Sequence, residues 1–166
     1  MWKRPGALLT AQHVAPTVKF GGGSVMIWGC RTVHGVGFMC RIEGKMDASL
    51  YKEILMDELQ GTVDYYGMDK GDLIFQQDGD SKHRSALAQK WLKTNGFKVL
   101  DWPAQSPDLN PIEHLWSIIK FHLAAYPTEA QNIEELWRRV EVEWEKIPQE
   151  ECLKLIIVCL EGLQHF

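Results

Sequence analysis

Asp78 and Glu113 are the two side chains whose positions suit metal chemistry. Asp78 closes the apolar run Leu73-Ile74-Phe75-Gln76-Gln77. That run reads as a buried strand, and α/β sheets place ligands beyond strand ends. Glu113 follows Asn110-Pro111-Ile112 at the opening of a helix, where the backbone dipole has its positive pole. Two carboxylates so placed could share Mg²⁺, which takes oxygen ligands and keeps waters and phosphate oxygens as the rest. Each residue also has a plainer reading. Asn, Pro and Glu at 110, 111 and 113 make a good helix start, with Asn as cap, Pro at the first position and Glu reaching back. An Asp commonly closes a strand into a turn. On local grounds both readings stay open.

Other chemistries find little support. Cys30, Cys40, Cys152 and Cys159 form no C-x-x-C pair, so zinc spacing is absent and four reduced thiols are expected. Gly21-Gly22-Gly23 is followed by no G-x-x-x-x-G-K-[ST] pattern and reads as a flexible approach to a strand. No serine or cysteine nucleophile constellation is evident. The tryptophans at 137 and 144 fall on a core-facing stripe rather than on a base-stacking platform.

The elements that must carry the two carboxylates can be read from periodicity. The first 20 residues lack it and read as an arm or loop. Val25 to Cys30 and Phe38 to Ile42 are short apolar runs joined by a turn around His34-Gly35-Val36-Gly37, a hairpin pattern. Asp47 can cap a helix over about Ala48–Gln60, with Tyr51, Ile54, Leu55 and Leu59 on one face. After the 73–78 strand, Ser85 to Thr94 reads as a helix stopped by Asn95-Gly96, and Phe97 to Trp102 as a strand halted by Pro103. Ile112, Leu115, Trp116, Ile119 and Leu123 keep helical spacing. So do Ile133, Leu136, Trp137, Val140, Trp144 and Ile147, with Asn132 and Glu135 forming a capping-box variant. Leu153, Ile156, Ile157 and Leu160 suggest a last apolar turn or two. The order predicts a mixed α/β sheet covered by helices.

The 166 residues suit one domain with a substantial core. No stretch approaches the length of a membrane span, and the first residues do not form a secretory signal. The formal charge of −4 argues against a stand-alone nucleic-acid binder, since duplex affinity comes largely from Lys and Arg.

The segment Gln76-Gln77-Asp78, with Trp102-Pro103-Ala104-Gln105-Ser106-Pro107-Asp108-Leu109-Asn110-Pro111-Ile112-Glu113-His114-Leu115-Trp116, resembles the Tc/mariner transposase superfamily. Between Asp78 and Glu113 lie 34 residues, the interval of that family's Tc-type branch. Gly21 to Cys30 and Ile42-Glu43-Gly44-Lys45-Met46 are also similar to it, and the likeness runs over roughly residues 2 to 150. It implies an RNase H-like mixed sheet flanked by helices, and a DDE site in which Asp78 and Glu113 are catalytic metal ligands. It implies two Mg²⁺ ions, replaceable by Mn²⁺, and DNA as partner, both transposon ends and target. A nuclear location follows from the same likeness. His83 and Lys82 fall where the family has a His soon after the second Asp. They become candidate DNA contacts, with a bridge to the site as the alternative for His83, which reads equally as a surface-loop histidine.

The departures set further expectations. The family's first Asp lies upstream of the segment that Trp2–Gly6 resembles, so the first central strand and its Asp are expected to be missing. Asp47, Asp72, Asp80 and Asp108 are poor substitutes, being off that strand. Gly79 stands where the family usually has Asn. The helix-turn-helix reader is missing too, and residues 160–166 lack the expected arginines. The reading is a single truncated catalytic domain over 1–166, with an arm at 1–20, a core at 21–150 and a divergent tail at 151–166. It is expected to be inactive as a nuclease. The alternatives are a non-catalytic module that self-associates or pairs with intact transposase, or a longer natural polypeptide.

Overall fold

The computed structural model describes residues 17–19, 24–100 and 111–163. Its main sheet has the order β1-β2-β3, with β1 Thr17–Lys19, β2 Ser24–Thr32 and β3 Gly35–Ile42, all antiparallel. The expected hairpin is present, but its turn is tighter than the glycines suggested. Thr32 pairs with Gly35, so only Val33 and His34 lie outside the ladder, and Gly35–Gly37 belong to the strand. Gly35 takes φ +133, a value open to glycine. Thr32 Oγ1 accepts from His34 N at 3.0 Å and so closes the turn. Thr17–Lys19, expected within an arm, is instead a strand on the other edge of β2.

Helices cover both faces of this sheet. Alternation along β2 sends Val25 and Ile27 to one side. There they join Leu115, Trp116 and Ile119 of α4 (Ile112–Ala124), Leu136, Val140 and Trp144 of α5 (Ile133–Glu145), and Cys152 of α6 (Gln149–Leu163). Gly29 permits a close approach: a Cβ there would lie 3.0 Å from the Trp116 ring and 3.1 Å from that of Trp144. Those two rings stack at 5.0 Å. Trp28 packs against the second core, built from Tyr51, Leu55, Leu59 and Val63 with Ala88, Leu92 and Phe97.

That second core rests on one long helical segment. Asp47 caps it, its Oδ1 accepting from Leu50 N at 2.9 Å. The segment runs beyond the expected Gln60 as α1 (Ala48–Ile54), a π-helical turn (Leu55–Leu59) and α2 (Gln60–Tyr65). Buried Thr62 anchors it to β3: its hydroxyl accepts from Phe38 N at 2.8 Å and donates to Glu58 O at 2.7 Å.

The second sheet is small. β4 (Ile74–Phe75) pairs in parallel with β5 (Lys98–Val99), and α3 (Ala86–Thr94) crosses between them. Ser85 caps α3 through Ala88 N, and Gly96 at φ +79 ends it, as expected. The strand expected over 73–78 is corrected to two residues, and Ile74 is 65% exposed rather than buried. The physical reason is an unmatched edge: β4 has a ladder only to β5. No strand among the described residues joins the two sheets. Part of the expected 97–102 strand, at 101 and 102, lies outside the described residues.

The closing helices follow the predicted stripes with two corrections. Asn132 accepts from Glu135 N at 2.9 Å, and Glu135 reaches back to Gln131 N at 2.9 Å. Ile133, however, is exposed at the helix start. The tail is one helix whose Cys152 is fully buried, whereas Leu153 and Ile157 face outward. No described helix is long and apolar enough to cross a membrane.

Candidate metal centre

Asp78 sits three residues past β4, in the loop that leads to α3. The loop is shaped by short-range bonds of the kind Asp favours. Asp78 Oδ1 accepts from Asp80 N at 3.1 Å, and Asp80 Oδ1 accepts from Lys82 N at 2.9 Å. Lys82 Nζ closes on Asp80 Oδ2 at 3.1 Å. Lys82, a candidate DNA contact, is therefore paired within its own loop. Gly79 has no positive φ, and a Cβ there would meet open space, so the turn does not require glycine at this position.

His83 is turned inward. Its side chain is 14% exposed, and Nδ1 is hydrogen-bonded to Asp78 Oδ1. This corrects the surface-loop reading. A carboxylate only accepts, so Nδ1 carries the proton. Burial pushes the Asp78 carboxyl upward. The bond and charge of His83, with Asp80 N and Lys82, outweigh that and leave it below the usual aspartate value. Asp78 is thus ionised at neutral pH.

Glu113 is half-buried in the first turn of α4. Burial raises its pKa. The Lys120 charge opposes that rise, and the Asp78 charge adds to it. The charge of one predicted ligand, Asp78, thus reaches the other, 34 intervening residues further on. The expected Asn110 cap lies outside the described residues. Pro111 occupies the N-cap position and makes no side-chain cap bond. The other acids considered are engaged elsewhere or remote: Asp47 caps α1, Asp80 holds Lys82, Asp72 is exposed in a 3₁₀ turn, and Asp108 lies outside the described residues. Among the described residues no group of three His, Cys, Asp or Glu is placed to hold a metal ion.

Sequence reasoning missed the layer behind Asp78. Buried Tyr51 of α1 donates its hydroxyl to Gln77 Oε1 at 2.6 Å, and its ring lies 4.2 Å from the His83 ring. Its place on the apolar stripe of α1 disguised it as core. Cys30, Cys40 and Cys152 are free thiols, as expected, and burial pushes Cys30 and Cys40 up to about 12.

A family profile described as "DDE superfamily endonuclease" matches residues 12–137. The chain belongs to the DDE superfamily of endonucleases. Within it, the chain is a DDE transposase domain of the Tc1/mariner type. It is 39% identical over 155 residues to the transposable element Tc1 transposase of Caenorhabditis elegans, a match over 93% of this chain and 55% of that protein. The Tcb1 transposase of Caenorhabditis briggsae is 38% identical, over 88% and 52%. The DDE domain thus spans about half the length of these relatives. Among solved structures it superposes on the Mos1 transposase catalytic domain bound to Raltegravir with Mg, with a TM-score of 0.75, 21% identity, and 87% of this chain on 75% of that one. The Mos1 paired-end complex with left transposon end gives a TM-score of 0.74 at 20% identity, over 97% and 47%. The fold is that of an RNase H-like catalytic domain.

Proposed function

We propose that Asp78 and Glu113 are two of the carboxylates that hold a divalent cation for DNA strand cleavage and transfer. The observation that carries this reading is their placement in a domain of this family, Asp78 past the end of β4 and Glu113 on the first turn of α4. The donor set fits. Hard carboxylate oxygens suit Mg²⁺ or Mn²⁺, with water and phosphate completing the shell. Asp78 Oδ1 takes the bonds from Asp80 N and His83 Nδ1, and Oδ2 is the oxygen proposed to meet the cation. Such a cation would supply Lewis-acid stabilisation to phosphate oxygens under attack. The chain's own part is to keep Asp78 ionised, through His83 and the loop amides, and to hold Glu113 on the rigid first turn of α4. Solved relatives carry Mg, Mn and transposon-end DNA, which supports both the metals and the substrate.

The 166 residues alone supply a partial site, and they are proposed not to cleave DNA unaided. The test combines two assays. Saturating Mn²⁺ should raise the thermal midpoint of the chain, since ligand at about 100 times its dissociation constant stabilises by roughly 2.7 kcal/mol. Asp78→Asn and Glu113→Gln should each abolish the rise, and duplex carrying an element end should stay intact. A midpoint indifferent to Mn²⁺ would overturn the metal reading. Efficient cleavage would overturn the partial site.

A second reading rests on the exposed apolar side chains of α6, Leu153, Ile157 and Val158. There the domain pairs with a complete transposase as a non-catalytic partner. Co-purification lost on Ile157→Lys supports it; co-purification unaffected by that change, or no association at all, counts against it.

A further inference from the structure

The Asp78 carboxylate does not stand alone in its loop. It leans on His83, and His83 leans on a residue 32 positions earlier in the chain. Nε2 of His83 is buried and makes no hydrogen bond among the described residues. Two contacts bear on the orientation of the imidazole: Nδ1 against Asp78, and the Tyr51 ring, tilted 32° at 4.2 Å. The backbone behind the ring is fixed as well. Gln77 Nε2 donates to His83 O at 3.1 Å and Gln89 Nε2 to the same oxygen at 2.9 Å, while Tyr51 Oη donates to Gln77 Oε1 at 2.6 Å. Tyr51 is 1% exposed and lies in the second core between Leu55 and Ala88. One side chain of α1 thus presses on the imidazole through its ring and steers Gln77 through its hydroxyl.

We propose that Tyr51 is a positioning residue for the metal site, acting through His83 to hold the Asp78 carboxylate in one rotamer. The inference rests on the metal reading of Asp78 given above. Outer partners that orient a metal-ligating group commonly account for 10- to 100-fold in affinity. A contact in the core thereby sets the readiness of a ligand on the loop after β4.

The test uses the whole chain and reads two signals. The first is the His83 Hδ1 proton by NMR, which a bond to a carboxylate protects from solvent exchange. It should be visible in the wild type and in Tyr51→Phe, which keeps the ring, and lost in Tyr51→Leu. The second is the Mn²⁺ dissociation constant, expected to rise about 10-fold in Tyr51→Leu and to be largely restored in Tyr51→Phe. Should Tyr51→Leu not fold, Gln77→Ala removes the bond from Gln77 Nε2 to His83 O, which Tyr51→Phe leaves in place, and the same two changes are expected. If the Hδ1 signal and the Mn²⁺ constant are both unchanged in a folded Tyr51→Leu or Gln77→Ala chain, the brace is wrong. If the wild type binds no Mn²⁺, the metal reading fails, and the NMR signal alone still decides whether Tyr51 holds the Asp78–His83 pair.

Discussion

The negative charge of Asp78 helps raise the pKa of Glu113, a residue on a different element and 34 residues further along the chain. Ionised carboxylates that repel one another cost stability unless something offsets the repulsion. A shared cation is the compensation proposed above.

That repulsion has a measurable sign. The folded-state pKa of Glu113 is raised, so its contribution to stability is present below the unfolded value of about 4.3 and is lost as pH rises through the folded one. At pH 7 the ionised side chain is therefore a net cost. Glu113→Gln should raise the thermal midpoint at pH 7 by about 2 °C, a modest figure because the group is half-exposed and screened. The advantage should vanish below about pH 4. A lower midpoint at pH 7 would show that the carboxylate is a structural cap instead.

The second buried carboxylate has the opposite sign. Glu143 on α5, its side chain 5% exposed, accepts from His122 Nδ1 and Tyr126 Oη at 2.9 Å each and from Lys146 Nζ at 2.8 Å. Burial pushes its carboxyl up, but Lys146, Tyr126 and His122 outweigh that and hold it below the usual glutamate value. Its stabilisation is present above the unfolded pKa of about 4.3 and is lost as pH falls through the folded value. Glu143→Ala should cost about 1–3 kcal/mol at pH 7, read as a lower urea midpoint, with the deficit shrinking toward pH 3. A deficit that persists unchanged in acid would mean that packing, not charge, is lost.

The junction of β3 with the long helical segment admits no extra carbon. A Cβ at Gly37 would lie 2.5 Å from Cys30 Sγ and 2.6 Å from Thr62 Cγ2. Gly37→Ala should therefore cost about 1–3 kcal/mol by overpacking. It should also weaken protection of the Phe38 amide in hydrogen exchange, since Thr62 accepts that proton. Wild-type exchange at Phe38 would refute this account of the junction.

Much of this architecture was legible in the sequence because its signals are local. The caps at Asp47 and Asn132, the stop at Asn95-Gly96 and the stripe from Leu136 to Ile147 each name their element from a handful of neighbouring residues, and each is present. The 73–78 strand was misjudged because apolar composition alone does not state whether a neighbouring strand covers its edge; without one, Ile74 lies open. The hairpin turn was misplaced because glycines at 35 and 37 serve a strand conformation and a close approach to Thr62, rather than the turn itself. At the candidate site, Asp78 and Glu113 could be picked out from motif and interval. Tyr51 could not, because a tyrosine on an apolar stripe looks like core until the His83 ring appears beneath it.

Crystals of the chain grown with Mn²⁺ and measured at the manganese absorption edge offer the most direct examination of the proposed centre. One anomalous peak is expected within ordinary coordination distance, about 2.0–2.3 Å, of a carboxylate oxygen from each of Asp78 and Glu113. The account would be contradicted by manganese bound to only one of them, or by ordered carboxylates with no peak between them.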